Sequence, residues 1–128
     1  MKEKKTGFGT YAVHEGEAQY SCHPSSTPIF QSSTFYFDTI EEAGRVGQGN
    51  QKGFVYTRIG NPTIETFEKK LAVLETAEDA VAFASGMAAL SAVFLEVLAP
   101  GDEMISSNRI YAGSKGFFEQ TAAGLISV

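Results

Sequence analysis

The hydrophobic pattern of the chain is clearest from residue 61 onward. Apolar side chains recur there at three- and four-residue spacing, at Ile64, Phe67, Leu71 and Leu74. This spacing predicts one apolar face of a helix. Asn61 is a favourable N-cap and Pro62 suits the first helical position, so we expect the helix to begin at this point.

Farther along the chain, short apolar runs alternate with helical stretches. The pattern predicts, in order, a strand at 80–84, a helix from Met87 to about Leu98, a strand at 103–107, a helix from about Ser114 to Ala123 that Gly124 ends, and a strand that begins at Leu125. Alternating strands and helices are typical of an α/β domain with a parallel sheet. Since so small a parallel sheet leaves its edges poorly covered, we expect an incomplete sheet.

Residues 1–55 lack this periodicity and are rich in Ser, Thr, Gly and Gln. The pattern predicts only a short strand at 34–37 and a helical turn from Thr39 capped by Asp38, followed by a glycine-rich loop at 44–53. A segment this irregular is hard to fold alone. We therefore expect residues 1–55 to form an extended arm on the rest of a larger protein or on a second subunit. Residues 56–128 are then the beginning of the α/β domain.

Composition and charge narrow the classes of function. The chain has 128 residues, 43% of them apolar and 20% charged, which is typical of a globular domain and excludes a disordered polymer. A formal net charge of −5 and the lack of a basic stripe argue against a nucleic-acid partner. The apolar stretch at 80–99 is interrupted by polar residues, so we expect no membrane span.

The N-terminus and the single cysteine bear on the cellular compartment. Residues 1–5 are charged or polar and no apolar run follows them, so we expect no signal peptide. Cys22 alone excludes an intramolecular disulfide and fits a reducing compartment, so we expect a cytoplasmic protein. Cys22, His23 and His14 supply too few ligands at workable spacing, and we expect no metal site.

Three places in the sequence are candidates for chemistry. At 85–87 a glycine stands between a predicted strand and a helix N-terminus, where free backbone N–H groups and the helix dipole favour a phosphate. Tyr56 and Arg58 lie two positions apart, so in an extended segment both side chains point the same way and could clamp a phosphate. Tyr111 follows a predicted strand, where α/β sheets keep their ligands, and its ring could stack on a flat cofactor.

Each of these features also has an ordinary structural explanation. Gly86 could serve only to make the turn, Arg58 could be a surface residue beside a packed tyrosine, and Tyr111 could be a core or surface residue. Lys115 lies on a predicted helix in a surface context, so we expect a solvated side chain and not a covalent catalyst. Taken one at a time, the residues leave these alternatives open.

Taken together, four segments resemble one family. They are YTRIGNPT at 56–63, SGMAA at 85–89, PGD at 100–102 with Tyr111 after it, and STPIFQSSTF at 26–35. From about His14 to Val128 the chain is similar to the pyridoxal-phosphate enzymes of cysteine and methionine metabolism. This group contains cystathionine gamma-synthase, cystathionine gamma-lyase, methionine gamma-lyase and O-acetylhomoserine sulfhydrylase. The resemblance implies the first part of a large aspartate-aminotransferase-like α/β domain, preceded by an arm that crosses a dimer interface.

The resemblance also implies roles for individual residues. The positions that match the family's cofactor-binding segments are Tyr56, Thr57, Arg58, Ser85, Gly86, Met87 and Tyr111. Tyr56 and Arg58 match residues that reach the cofactor phosphate of the neighbouring subunit. Gly86 and Met87 match the backbone donors that hold the phosphate from within the subunit. Tyr111 matches the aromatic residue that stacks on the pyridine ring and is the expected catalytic acid–base group.

The implied cofactor is pyridoxal 5'-phosphate, and the implied substrate is a sulfur-containing or homoserine-derived amino acid. The expected reaction is elimination or replacement at the gamma carbon, as in transsulfuration, in a homotetramer built as a dimer of dimers. The family's cofactor-binding lysine and its aspartate at the pyridine nitrogen would both lie beyond Val128. The chain therefore resembles an N-terminal segment, and we expect it to be inactive alone.

Two questions stay open at this point. One alternative is a non-catalytic fragment that binds a phosphate or a partner and works only with a complementary chain. The sub-family is also open. Ala112 stands where the family usually has glycine, and Gly113 stands where methionine gamma-lyases typically carry a cysteine, which weakens an assignment to the methionine gamma-lyases, whereas the helix at 64–74 resembles that of the lyases.

Overall fold

The structure is a computed structural model that describes residues 7–18 and 20–122, and the backbone of 126–127. The chain divides into two compact units, residues 1–82 and residues 83–128. Among its described residues, the first unit holds three helices, α1 (Phe8–His14), α2 (Ile40–Gly47) and α3 (Pro62–Leu74). The second holds α4 (Gly86–Val97), β1 (Asp102–Glu103), α5 (Ala112–Gly116), a π-helical segment (Phe117–Thr121) and β2 (Ile126–Ser127).

Helix α3 begins where the sequence predicts. The Asn61 side chain accepts a hydrogen bond from the Thr63 N–H at 2.9 Å, and Pro62 takes the first helical position, where it gives up no intrahelical bond. The side of α3 that packs is different from the predicted one. Thr66 and Ala72 are buried, whereas Phe67 is 56% exposed. The reason is that α1 packs against the more polar side of α3.

The contact between α1 and α3 depends on a turn at Gly16. Its φ of +71° is in the left-handed region, which glycine adopts without strain. A Cβ at this position would stand 2.8 Å from the Cβ of Lys69. The Gly16 carbonyl accepts a hydrogen bond from the Thr66 hydroxyl at 3.3 Å. Helix α1 was not predicted from the sequence, because residues 7–18 show too short a periodic pattern.

The middle of the first unit corrects three local predictions. Helix α2 is capped by Thr39, whose hydroxyl accepts from the Glu42 N–H at 3.1 Å, and not by Asp38. It continues to Gly47, so the first part of the predicted glycine-rich loop is helical. In place of a strand at 34–37 there is a single antiparallel bridge between Thr34 and Tyr56.

The second unit keeps the predicted alternation but shortens its strands. Helix α4 agrees with prediction. Residues 80–84, which span the boundary between the two units in sequence, form no strand; within the first unit the Ala82 N–H donates to the Glu68 carboxylate at 2.8 Å. The predicted strand at 103–107 is reduced to β1. The predicted helix at 114–123 begins earlier and changes to π-helical geometry at Phe117. The predictions on Ala123, Gly124, Leu125 and Val128 lie outside the described residues.

The two short strands pair in parallel, with Asp102 opposite Ile126 and Glu103 opposite Ser127. Helix α5 and the π-helical segment lie between the two strands in sequence. Two parallel strands are therefore connected through a helix, as the sequence predicts. The core of this unit is formed by Phe118, Ala122 and Ser114. The Phe94 ring meets Phe118 edge-on, with ring centroids 4.7 Å apart.

Candidate functional site

Tyr56 and Arg58 are brought together by a turn. The Tyr56 carbonyl accepts hydrogen bonds from the N–H groups of Ile59 at 2.8 Å and Gly60 at 3.0 Å. The backbone is therefore folded here, and the extended geometry expected for this segment was wrong. The two side chains still meet, because the Arg58 guanidinium carbon lies 4.6 Å from the centroid of the Tyr56 ring.

The turn is anchored to the arm and to α3 through Thr57 and Asn61. The Thr57 N–H donates to the Ser33 carbonyl at 2.9 Å, and the Thr57 hydroxyl donates to the carbonyl of Ser32. The buried Asn61 amide donates to Thr57 Oγ1 at 3.0 Å and to the Phe30 carbonyl at 2.9 Å. Because Asn61 also caps α3, the helix start and the Tyr56–Arg58 turn are held by one side chain.

Arg58 is positioned to bind an anion from solvent or from another chain. Its side chain is exposed, and within the described residues no carboxylate lies in ion-pairing distance of it. A planar guanidinium with free donors binds carboxylates and phosphates in a bidentate manner. The contact with the Tyr56 ring restricts the positions open to the guanidinium, so less side-chain entropy is lost when an anion binds.

The first turn of α4 has two free backbone donors. The Ser85 hydroxyl caps the helix and accepts from the Ala88 N–H at 3.1 Å. Within the described residues, the N–H groups of Gly86 and Met87 have no acceptor. They stand at the positive end of a twelve-residue helix, where an anion is favoured. A Cβ at Gly86 would meet nothing within 4 Å, so a ligand can approach the backbone closely.

Tyr111 lies near this turn in the same unit. It precedes the first residue of α5 and accepts a backbone hydrogen bond from the Lys115 N–H at 3.0 Å. Its side chain is 71% exposed. Ser114, in the first turn of α5, donates a long hydrogen bond from its hydroxyl to the Met87 sulfur at 4.0 Å. The first turns of α4 and α5 are therefore neighbours, with Tyr111 at the start of one and the free N–H groups at the start of the other.

The structure thus groups the predicted residues into two sets. Tyr56, Thr57 and Arg58 belong to the first unit, and the segment 85–87 and Tyr111 belong to the second. Ser114, which joins α4 to α5, was not among the residues predicted from the sequence. Its buried position has no sequence signal, because serine on a short helix usually faces solvent.

The remaining candidates have ordinary surroundings. The Lys115 ammonium lies 3.7 Å from the Glu119 carboxylate one helical turn away, and both side chains are more than half exposed. Cys22 is exposed and forms no disulfide within the described residues. Within residues 7–18 and 20–122, no three His, Cys, Asp or Glu side chains are grouped so that they could hold a metal ion. The helices in this part of the chain are too short or too polar to cross a bilayer.

Comparison with known proteins places the chain in a family. The model of the family described as Cys/Met metabolism PLP-dependent enzyme matches residues 9–127. The chain therefore belongs to the pyridoxal-phosphate-dependent enzymes of cysteine and methionine metabolism, as its motifs predict. The cofactor of this family is pyridoxal phosphate.

Two curated relatives show the range of the family. The chain is 42% identical over 111 residues to the L-methionine gamma-lyase of Fusobacterium nucleatum subsp. polymorphum, covering 87% of this chain and 28% of the relative. It is 39% identical over 115 residues to the O-acetyl-L-homoserine sulfhydrylase of Corynebacterium glutamicum, covering 88% of this chain and 26% of the relative. The chain thus spans little more than a quarter of the length of these relatives.

Solved structures agree with the fold. A Campylobacter jejuni chain described as an O-acetylhomoserine (thiol)-lyase superposes with a TM-score of 0.85 at 27% identity, over 95% of this chain and 30% of that one. That structure contains a pyridoxyl-lysine monophosphate group. A cystathionine gamma-lyase from Micromonospora echinospora superposes with a TM-score of 0.78 at 32% identity, over 96% of this chain and 30% of that one. The predicted fold class is confirmed.

The residues present fit the phosphate of this cofactor. A phosphate needs several hydrogen-bond donors and positive charge, without a competing carboxylate. Each set fits such a group by itself. In the second unit, the Gly86 and Met87 N–H groups stand at the positive end of α4 and have no acceptor among the described residues. In the first unit, Arg58 supplies positive charge without an ion-pairing carboxylate among the described residues. The open space in front of Gly86 leaves room for the phosphate oxygens.

Proposed function

We propose that this chain supplies the phosphate-binding and ring-stacking part of a pyridoxal-phosphate-dependent carbon–sulfur lyase or transferase. The observation that carries the proposal is the capped first turn of α4. Ser85 takes up the Ala88 N–H and leaves the two N–H groups before it, those of Gly86 and Met87, free to bind one anion. Membership of a family that uses a phosphorylated cofactor supports the cofactor phosphate as that anion.

Each residue has a separate task in this proposal. The Gly86 and Met87 N–H groups hold the cofactor phosphate from within the subunit. Tyr56 and Arg58 bind the phosphate held by the neighbouring subunit, which agrees with the exposure of Arg58 and its lack of an ion pair within the described residues. Tyr111 stacks on the cofactor ring, and its hydroxyl moves a proton to or from the substrate. When bound, the cofactor supplies an electron-withdrawing ring that stabilises carbanions.

The proposed substrates are sulfur-containing or homoserine-derived amino acids, and the proposed reaction is elimination or replacement at their gamma carbon. The relatives named above act, by their names, on methionine or on O-acetylhomoserine, and they support this class. Lyase and transferase activity both stay candidates, because Gly113 weakens an assignment as a methionine gamma-lyase whereas the helix at 64–74 resembles that of the lyases.

A second proposal concerns the 128-residue polypeptide by itself, which we expect to be inactive and to need a complementary chain. Helix α4 favours this alternative. Apolar residues occupy most of its surface, yet none of its side chains is buried, and Val93, Leu95 and Val97 are all more than half exposed. A helix that is apolar on every side is normally covered on every side.

A chimera tests the main proposal. In it, this chain replaces the matching 111-residue segment of the Fusobacterium methionine gamma-lyase. We expect the chimera to assemble like its parent, to bind pyridoxal phosphate with its characteristic absorbance, and to release a keto acid from methionine. The 128-residue chain alone, given the same cofactor and substrate, should not exceed the rate of free cofactor. A chimera that assembles like its parent and fails to bind the cofactor would contradict the proposal.

A further inference from the structure

Two segments that carry the family resemblance have no task in the proposed function: NPT at 61–63, where α3 begins, and the arm segment 26–35. The hydroxyl of Thr63 joins them. It accepts a hydrogen bond from the Phe30 N–H at 2.9 Å and donates one to the Pro28 carbonyl at 2.9 Å. A hydroxyl has one proton to donate and lone pairs to accept with, so this one side chain bonds the arm backbone in both directions.

The side chain of Asn61 completes the contact with the arm. Its amide donates to the Phe30 carbonyl at 2.9 Å, so the N–H and the C=O of Phe30 are both bonded to side chains at the start of α3. Phe30 belongs to no strand that would pair these groups among the described residues. Backbone groups that leave water need partners, and here Thr63 and Asn61 supply them. The position of the arm at Phe30 therefore depends on these two side chains.

The arm in turn holds both ends of the turn that contains Arg58. Thr57, directly before Arg58, donates from its N–H and its hydroxyl to the carbonyls of residues 32–33. Asn61, at the other end of the turn, donates to the Phe30 carbonyl and to Thr57 Oγ1. Because the turn between these two anchors is short, the place of the Arg58 backbone is set by where the arm lies.

We propose that Thr63 is a positioning residue for Arg58: its hydroxyl fixes the arm at residues 28–30, and the arm fixes the two ends of the turn that presents the guanidinium. Thr63 acts only through the arm, since its hydroxyl is engaged by arm backbone. The consequence for cofactor binding rests on the proposed function of Arg58, whereas the placement of the arm does not.

Thr66 offers a matched control one turn farther along the same helix. Its hydroxyl also bonds backbone carbonyls, that of Pro62 at 2.9 Å and that of Gly16 at 3.3 Å, and the residue is only 4% exposed. These bonds lead to α1 and not to the arm segment. Thr→Val at either position removes a buried or partly buried hydroxyl and keeps the branched shape, so both variants should lose stability. Only Thr63→Val should displace the arm.

Amide hydrogen exchange of the 128-residue chain tests the placement of the arm. The probe is the Thr57 N–H, which bonds the arm but does not contact Thr63, and the α3 amide of Ala72 serves as the reference for unfolding of the helix. Relative to this reference, the Thr57 N–H should exchange faster in Thr63→Val than in Thr66→Val. Thr63→Ser, which keeps the hydroxyl, should exchange like the parent. Equal relative exchange in the two valine variants would overturn the proposal.

A double-mutant cycle in the chimera tests the link to Arg58 and does not need the isolated chain to fold. Thr63→Val should weaken pyridoxal phosphate binding by part of the about 10–100-fold expected for Arg58→Ala, and should leave pyridoxal binding unchanged. Thr63→Ser and Thr66→Val should bind both ligands like the parent. In an Arg58→Ala background, Thr63→Val should have no further effect, since no guanidinium is left to position.

Two results of this cycle would overturn the positioning role: independent, multiplicative losses from the Thr63 and Arg58 changes, or a Thr63→Val chimera that binds pyridoxal phosphate like the parent. If Arg58→Ala itself left pyridoxal phosphate binding unchanged, the proposed function of Arg58 would fail. The hydrogen exchange of Thr57 would still decide the placement of the arm.

Discussion

The guanidinium carbon of Arg58 lies 4.6 Å from the centroid of the Tyr56 ring. The pair is formed by a turn that closes on the Tyr56 carbonyl, and the turn is tied to the N-cap of α3 through Thr57 and Asn61. An exposed cation–π contact of this kind contributes about 0.5–1 kcal/mol. Its more important effect is to restrict where the guanidinium lies, because this lowers the entropy cost when an anion from outside the turn binds.

If Arg58 serves the neighbouring subunit, two defective chimeras should complement each other. One carries Arg58→Ala, and the other carries Gly86→Val, whose side chain fills the open space in front of α4. In a mixed dimer one site combines both defects and the other has neither. We expect co-expression to restore activity that each variant lacks alone.

The measurement is keto-acid release by the purified mixed oligomer, with each variant carrying a different affinity tag. A mixture of two Arg58→Ala chains is the control and should stay inactive. Mixed oligomers that remain as inactive as their parents would show that Arg58 acts within its own subunit.

The two proposed tasks of Tyr111 should be separable in the chimera. Tyr111→Phe retains the ring and should keep most of the cofactor affinity, because a stacked ring contributes about 0.5–1.5 kcal/mol. It should lower turnover by about 10²–10⁴-fold, since the acid–base hydroxyl is gone. Tyr111→Ala should lose both. Cofactor dissociation constants and steady-state rates check this, and variants that bind and turn over like the parent would leave Tyr111 a packing residue.

Gly16 should be needed for the packing of α1 on α3. Gly16→Ala places a Cβ at a φ of +71° and 2.8 Å from the Lys69 Cβ, so we expect a loss of about 1–3 kcal/mol in the free energy of unfolding. Gly9→Ala in α1 is the matched control: it meets no atom within 4 Å and should stabilise the chain by up to about 1 kcal/mol. Denaturant unfolding of the 128-residue chain measures both. Equal effects of the two changes would contradict the packing role.

Stability should depend on pH through Glu65. Partial burial acts to raise the pKa of its carboxyl, but hydrogen bonds from the ammonium groups of Lys52 and Lys69 outweigh this and lower the pKa below 4.5. The hydrogen bond to Glu65 is the main cause that raises the pKa of Lys52 above 10.5. Because the pKa of the Glu65 carboxyl is lower in the folded than in the unfolded chain, its charged form stabilises the fold at pH values above the unfolded-state pKa. This stabilisation is lost as the pH falls through the folded-state pKa. Because the pKa of Lys52 is higher in the folded than in the unfolded chain, its charged form stabilises the fold at pH values below the unfolded-state pKa. This stabilisation is lost as the pH rises through the folded-state pKa.

Glu65→Gln should therefore destabilise the chain near neutral pH by about 0.2–1 kcal/mol, a modest amount because Lys52 is exposed. The difference from the parent should shrink as the pH falls below 4.5 and as it rises above 10.5. Thermal unfolding across this range gives the comparison, with Glu75→Gln at the exposed C-cap of α3 as the control. A difference that stayed constant with pH would exclude an electrostatic origin.

Local signals in the sequence predicted the start of α3 well. Asn61 with Pro62 combines a capping side chain with a following residue suited to the first turn, and such a cap needs no information from distant parts of the chain. The prediction of a strand at 80–84 was wrong because a strand, unlike a cap, depends on distant parts of the chain. A strand needs a partner, and an apolar run such as this one does not say whether a partner lies beside it.

The geometry of the site was only partly predictable. The pairing of Tyr56 with Arg58 was expected, but in an extended segment. The turn is instead folded by backbone hydrogen bonds that the Tyr56 carbonyl accepts, and backbone bonds of this kind leave no mark on the sequence. The contact between Ser114 and Met87 spans 27 positions and depends on how two helices pack. The apolar stripe of α3 was expected to be buried, but it is exposed. Periodicity shows that a helix face is apolar, and it does not show what covers that face.

The most direct test of the central claim compares two ligands that differ only in the phosphate. Arg58→Ala in the chimera should weaken pyridoxal phosphate binding by about 10–100-fold, from the loss of charge-assisted hydrogen bonds worth about 1.5–3 kcal/mol. Binding of pyridoxal, which has no phosphate, should not change. Arg58→Lys should recover only part of the loss, because a point charge cannot replace the planar fork. Arg45→Ala, in which the removed guanidinium bonds only Gln51 among the described residues, should leave both affinities unchanged. If Arg58→Ala instead lowers the affinities for pyridoxal phosphate and pyridoxal equally, or lowers neither, Arg58 does not bind the cofactor phosphate and the account is contradicted.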